Sequence, residues 1–466
     1  MTTAREGVES LLDRIETVDP LVNAVCTINT DAIGVADERD AETRAGQARG
    51  PLHGQPVLVK DNVDTADLLT TAGSLALADV PPSADAMLVS RLRDAGMIVL
   101  GKTNLSEWAN MRDQASTSGW SAYGGLTRNP YGLNRSAGGS SSGSGAAVAA
   151  RLAPYAIGTE TDGSITCPAA FNGCVGIKPT VGLVPTQGVV PISRSQDSPG
   201  PMALTVRDAA ALLTVLSGGQ TDYAAHAVPG GLQGKRIGLP RKLFWGYSGP
   251  ADAAAEHAVG LLAAQGTTIV DGADLLSMVD YGFDDELHVL LAELVAGMAS
   301  YLATRPDGSP STLADLVEFN KGHSEDELRY FGQSFFELAL DVPGIDSVEY
   351  AKARAACLEH GRDEGIDKVL REHRLDALLT PSYSPSIPVD LVNDEHHAGS
   401  CTQPAAMAGY PLLTVPSGLA LGLPVGVTFW GTSGSEATLI EVAHGYELAR
   451  DADAGPLSVP TFPAFV

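Results

Sequence analysis

Gly158-Thr159-Glu160-Thr161-Asp162-Gly163-Ser164 and the earlier Arg135-Ser136-Ala137-Gly138-Gly139-Ser140-Ser141-Ser142-Gly143-Ser144-Gly145 set hydroxyl groups on glycine-flanked turns. Glycine lets backbone N–H groups approach a ligand closely. Either run alone has the composition of a flexible linker. Both, however, lead straight into apolar sequence, Ala146 to Leu152 after the first and Ile165 to Val175 after the second. They are therefore expected as built turns inside a folded domain.

Around these turns short apolar runs alternate with amphipathic ones. Val57-Leu58-Val59-Lys60-Asp61-Asn62 reads as a buried strand running into a loop, with Lys60 at the strand's end, and Met97-Ile98-Val99-Leu100-Gly101 as a second strand. Ser83 to Ala95 has the pattern of an amphipathic helix with Ser83 as its N-cap. Upstream, Val8, Leu11, Leu12 and Ile15 recur at i, i+3, i+4 and i+7, which predicts a helix from Arg5 broken at Asp19-Pro20, followed by another over Asp31 to Ala48. Downstream, Thr205 to Leu216 reads as a helix and Arg236-Ile237-Gly238-Leu239 as a strand. Pro250 to about Arg374 reads as mostly helical, acidic on its polar faces and poor in strand signals. Strands return at Asp376 to Pro381, Pro411 to Pro416 and Val425 to Phe429. Such alternation predicts an α/β fold. Because the sheet draws on distant segments, a single domain over 1–466 is expected: N-terminal helices at 1–50, a core at 51–240, a helical cap-like region at 250–374, and a return to the sheet at 375–466.

The 466 residues are 44% hydrophobic, ample for a buried core, and 30 Lys+Arg against 56 Asp+Glu leave a net charge of -26. That charge repels nucleic acid and anionic lipid, so neither is expected as a partner. Five cysteines, Cys26, Cys167, Cys174, Cys357 and Cys401, form no CxxC pair and read as reduced thiols. Met1 to Ser10 has no apolar run and no stretch of about 18 apolar residues occurs, so the expectation is a cytoplasmic protein.

Attack on a carbonyl needs a nucleophile, a base within reach and donors aimed at the developing oxyanion. Ser164 can supply the first, and the backbone of Thr161, Asp162 and Gly163 the last. No histidine occurs between His53 and His226. Lys60 is the alternative base, because an apolar strand desolvates its ammonium and favours the neutral amine.

These residues carry a resemblance. Lys60-Asp61-Asn62, Gly138-Gly139-Ser140-Ser141 and Asp162-Gly163-Ser164-Ile165, with 24 residues from Ser140 to Ser164, resemble the amidase signature family and its Ser-cisSer-Lys triad. Gly101-Lys102-Thr103-Asn104, Arg128-Asn129-Pro130 and Gly176-Ile177-Lys178-Pro179-Thr180 extend the match, densely over Leu52 to Ala210 and more loosely over Asp376 to Gly431. The resemblance implies the family's fold, a large mixed β-sheet sandwiched by helices. It implies Ser164 as nucleophile, Ser140 relaying the proton beside a cis peptide bond, Lys60 as ultimate base, and an oxyanion hole from the N–H groups of Thr161, Asp162, Gly163 and Ser164. Asn104 to Asn110, Ser118 to Ser121 and Pro191 to Asp197 look most like the peptide amidase branch. The implied reaction is hydrolysis of a neutral amino-acid amide or short-peptide C-terminal amide, without cofactor or metal, by a monomer or homodimer. Ser116, Trp120, Ser141, Phe331 and Tyr383 are the expected substrate contacts.

Other readings compete. An aryl acylamidase or urethane hydrolase would use the same triad. The catalytic component of a tRNA-dependent amidotransferase shares the signature, but typically has arginine two residues after the nucleophile, where this chain has Thr166. Gly139-Ser140-Ser141-Ser142-Gly143 also fits the nucleophile elbow Gly-x-Ser-x-Gly, which follows a strand; Leu133 to Ala137 does not read as one. Asp394-Glu395-His396-His397 lacks metal-ligand spacing and reads as a solvated loop.

Overall fold

The computed structural model describes residues 3–306 and 309–466. Eleven strands form one sheet, in the spatial order Val25–Ile28, Ile98–Thr103, Pro56–Lys60, Tyr155–Glu160, Ser198–Ala203, Val175–Lys178, Leu412–Ala420, Leu423–Trp430, Ala377–Pro381, Arg236–Leu239 and Thr268–Asp271. Pro56–Lys60 runs parallel to both its neighbours, as does Arg236–Leu239; the other pairings are antiparallel. The sheet is thus mixed, as the family resemblance implies.

Alternation along Pro56–Lys60 divides the core in two. Val57 and Val59 face one cluster with Leu88 and Leu92 of the Met87–Asp94 helix, Leu212 and Leu213 of Val206–Leu216, and Ile440 and Tyr446 of Glu436–Ala454. Leu58 faces the other, with Val8 and Ile15 of the Ala4–Val22 helix and Ala146, Ala147 and Val148 of Ser142–Ala149. Helices therefore cover both faces. A third cluster joins Leu290, Leu294 and Met298 of the Asp284–Leu302 helix to Leu77, Trp108 and Val190, seating the helical segment on loops of the core.

Several boundaries differ from expectation. Val25–Ile28 and Thr268–Asp271 are strands at the two edges of the sheet, and their half-buried residues leave no strong apolar run to read. The second lies inside the segment that reads as mostly helical and poor in strand signals. Ser83 caps no helix: the helix begins at Met87, because the Ala86 N–H donates to the Asp64 carbonyl (2.9 Å) and keeps the preceding backbone extended. The first helix continues through Pro20 to Val22, where Asn23 in the left-handed conformation ends it and the Asp19 carboxylate accepts from the Ala24 N–H at 2.7 Å. The second ends at Arg44, four residues early, ahead of Gly46 at φ +72°. Gly132–Ser136 is a strand after all, paired with Arg128–Asn129 in a two-stranded ribbon outside the main sheet. Among the described residues, no helix is long and apolar enough to cross a membrane.

Candidate active site

Lys60 ends a strand whose five residues are all buried, and the Lys60 side chain has no solvent exposure. Its Nζ lies 2.8 Å from Ser140 Oγ, 2.9 Å from Thr159 Oγ1 and 3.2 Å from the Thr159 carbonyl oxygen. Asn62 Nδ2 donates to the same Thr159 hydroxyl at 3.0 Å, fixing it from the other side. An ammonium can donate to all three oxygens. A neutral amine can donate to the two on Thr159 and accept the Ser140 proton with its lone pair. Burial pushes the amine down to about 7, against the charges of Asp197 and Glu160, which raise it. Both protonation states are thus accessible near neutrality in one geometry.

The two glycine-flanked turns meet beside this amine. The Gly139–Ser140 peptide is cis. The Ser140 carbonyl accepts from the Ser106 N–H (3.1 Å), and the Ser141 N–H donates to the Ser164 carbonyl (3.1 Å). One turn is therefore pinned to the other. Glu160 shapes the second turn: its carboxylate accepts from the N–H groups of Ile165 and Thr166, both at 2.7 Å, and from Thr166 Oγ1 at 3.2 Å. Gly163 has φ +82°, and a Cβ there would fall 2.4 Å from the Tyr383 hydroxyl, so glycine is required. Among the described residues, no protein acceptor takes a hydrogen bond from the N–H of Asp162, Gly163 or Ser164. These donors remain free for a ligand oxygen.

A cavity of about 410 Å³ opens at this turn, with Asn110, Gly139, Asp162, Tyr383, His397 and Thr402 on its wall. Burial pushes the Asp162 carboxyl up to about 6, with Glu160 adding to the rise and Thr402 and Lys178 opposing it. Cys167 also lines the cavity, its thiol pushed up by burial.

Lys60 contacts Ser140, the Thr161–Ser164 turn is joined to Ser141 beside them, and Tyr383 reaches the wall. Four expected substrate contacts do not. Trp120 and Phe331 pack edge to face at 5.2 Å, and the Arg112 guanidinium lies 4.2 Å from the Phe331 ring centroid. Arg112 pairs in turn with buried Glu107 and Glu327, so these aromatics roof an internal ion cluster joining the helical segment to the core. Ser116 donates to the Asp113 carbonyl (2.8 Å). Ser141 Oγ donates to the Thr159 carbonyl (3.1 Å) and accepts from the Thr159 N–H (3.2 Å), which consumes its hydroxyl. That bonding, rather than a missing strand, removes Ser141 as an elbow nucleophile.

The 394–397 segment is an irregular loop with His396 and His397 exposed, but it is anchored on the core. The Glu395 side chain is buried and accepts from Ser136 Oγ (3.1 Å), while the His397 ring stacks on Phe171 and borders the cavity. Thr159, Asn110, His397 and Thr402 are site residues that the sequence does not announce. Thr159 was within reach, since it belongs to the turn's own run. Thr402 and His397 lie more than 230 residues further along, and only the fold brings them in.

Comparison with known proteins matches a family model, Amidase, over residues 6–440. The solved peptide amidase from Stenotrophomonas maltophilia is similar at 45% identity with a TM-score of 0.91, covering 99% of this chain and 95% of that one. A probable amidase of Arabidopsis thaliana is 36% identical over 96% of this chain and 87% of its own length. A glutamyl-tRNA(Gln) amidotransferase component from Chloroflexus aggregans is 34% identical over 96% of this chain and 93% of its own.

Proposed function

The chain belongs to the amidase family and hydrolyses amide C–N bonds, and on that premise we propose that it works through an acyl-enzyme on Ser164 and releases ammonia from the C-terminal amide of a neutral amino acid or short peptide. Ser164 Oγ attacks the amide carbon as its proton passes to Ser140 Oγ, whose own proton passes to the neutral Lys60 amine. The carbonyl oxygen takes up the negative charge against the N–H groups of residues 161–164. The proton on Lys60 returns through Ser140 to the leaving nitrogen, the C–N bond breaks and ammonia departs. Water then gives its proton along the same path and its oxygen to the acyl carbon, freeing the acid and Ser164.

The observation that carries this reading is the 2.8 Å contact between Ser140 and an unexposed Lys60 that, among the described residues, touches no carboxylate. The likeness to a peptide amidase supports the substrate class. So does the neutral Ile165-Thr166-Cys167-Pro168 after the turn, where Thr166 is occupied with Glu160. The test is mass spectrometry of a neutral peptide amide beside its free acid, with an aryl amide, a carbamate and glutamyl-tRNA as controls. A gain of about one mass unit, as –NH₂ becomes –OH, with internal bonds intact is the expected result. Turnover of only the aryl amide or carbamate would move the substrate class; ammonia transfer to glutamyl-tRNA would favour a role in amidotransfer. Ser164→Ala should cost about 10⁴-fold or more in kcat, whereas Ser141→Ala should leave a measurable rate. The reverse pattern would overturn the assignment.

A further inference from the structure

Asp197 touches none of the reacting groups, yet its bonds tie the oxyanion turn to the 192–196 loop. The antiparallel pairing of Ser198 with Glu160 brings Asp197 beside Thr161. One carboxylate oxygen accepts from Thr161 Oγ1 at 2.6 Å; the other accepts from the N–H groups of Ile192 (2.9 Å) and Ser193 (3.0 Å). The same loop is gripped from the helical segment. Ser193 Oγ donates to Glu293 Oε2 at 2.5 Å, the Ser195 N–H donates to it at 3.0 Å, and Gln196 Nε2 donates to Glu286 Oε1 at 2.8 Å. Glu286 and Glu293 both sit on Asp284–Leu302.

We propose that Asp197 is a positioning residue for the hydrolysis, fixing the Thr161 end of the oxyanion turn and holding a negative charge toward the Lys60 amine. The inference rests on the Ser164–Ser140–Lys60 reading. With three donors on one buried carboxylate, the Thr161 side chain cannot rotate without breaking a charge-assisted bond. Thr161, next to Asp162 on the cavity wall, thereby holds the start of the turn in one orientation. The charges acting on Lys60 are those of Asp197 and Glu160. Burial, with the charge of Glu293 adding, pushes the Asp197 carboxyl up to about 6 against its bonds from Thr161, Ile192 and Ser193, so it carries its charge above that pH. Burial pushes nearby Lys178 down to about 8, against Glu160, Glu436, Asp162 and Asp197. Both Asp197 and Glu160 favour the protonated amine, so removing one lets the amine lose its proton at lower pH.

The experiment is the pH dependence of kcat/KM for a neutral peptide amide in the parent, Asp197→Asn and Thr161→Val. Asp197→Asn should lower kcat about tenfold or more and move the acid limb of the profile down by about one pH unit. Thr161→Val, which leaves every charge in place, should lower kcat with the limb unmoved. A folded Asp197→Asn protein with the parental limb would overturn the proposal. Should that variant not fold, Thr161→Val decides alone: a kcat within about twofold of the parent would overturn it. A parent that releases no ammonia at any pH would instead sink the underlying reading.

Discussion

Lys60 ends its strand and Lys102 lies one residue before the end of the neighbouring parallel strand, both fully buried, and they do opposite things. Lys102 lies 3.4 Å from the Asp61 carboxylate and donates to the carbonyls of Val63 (2.7 Å) and Leu69 (3.2 Å) and to the hydroxyls of Thr70 (2.8 Å) and Thr65 (3.3 Å). Lys60 has, among the described residues, no carboxylate in contact and only three oxygens, one of them on a serine that can give its proton back. Burial with a counter-ion makes a structural charge; burial without one makes a base. The residue type is the same, and the neighbours decide.

The contrast is broken most directly at Lys60. Lys60→Met should cost about 10²–10⁴-fold in kcat, while the unfolding midpoint stays close to the parent's, because no contacting charge is left alone. Equal activity in the two proteins would remove Lys60 from the chemistry. Lys102→Met should do the reverse in stability, costing about 3–5 kcal/mol in denaturant unfolding, because it strands Asp61 and uncovers two carbonyls. A midpoint unchanged from the parent would show that the pair contributes nothing. The smallest effect is in the parent itself. Since only the neutral amine accepts a proton and burial sets Lys60 at about 7, kcat/KM should rise with pH through about 7 and fall roughly tenfold for each unit below it. A profile flat from pH 6 to 9 would contradict a titrating lysine.

The strands holding these lysines were legible because Val57-Leu58-Val59 and Met97 to Leu100 are continuous apolar runs, as strands buried on both faces must be. The edge strands were not, since half-buried positions carry mixed residues. In the same way Ser140 and Ser164 stood out through their glycine-rich settings and motif spacing, and Lys60 as the lysine closing an apolar run. Thr159 and Asp197 did not, because what they bond follows from strand register: the pairing of Ser198 with Glu160 cannot be read from either segment alone. The packing of Trp120 and Phe331 over Arg112 was illegible for a related reason. Nothing local distinguishes an aromatic lining a pocket from one lying over a buried Arg112.

The unpaired burial of Lys60 also links catalysis to folding. An unfolded lysine keeps its proton until about pH 10.4, whereas folded Lys60 gives it up near 7. Between those values the unfolded chain carries one more proton at this position, so folding releases it and stability from this group increases with pH across that window. Below pH 7 the native state must hold the charge without a contacting partner, and the whole penalty for doing so is borne by the remainder of the fold. Above about pH 7 the amine is deprotonated by the act of folding, before any substrate arrives.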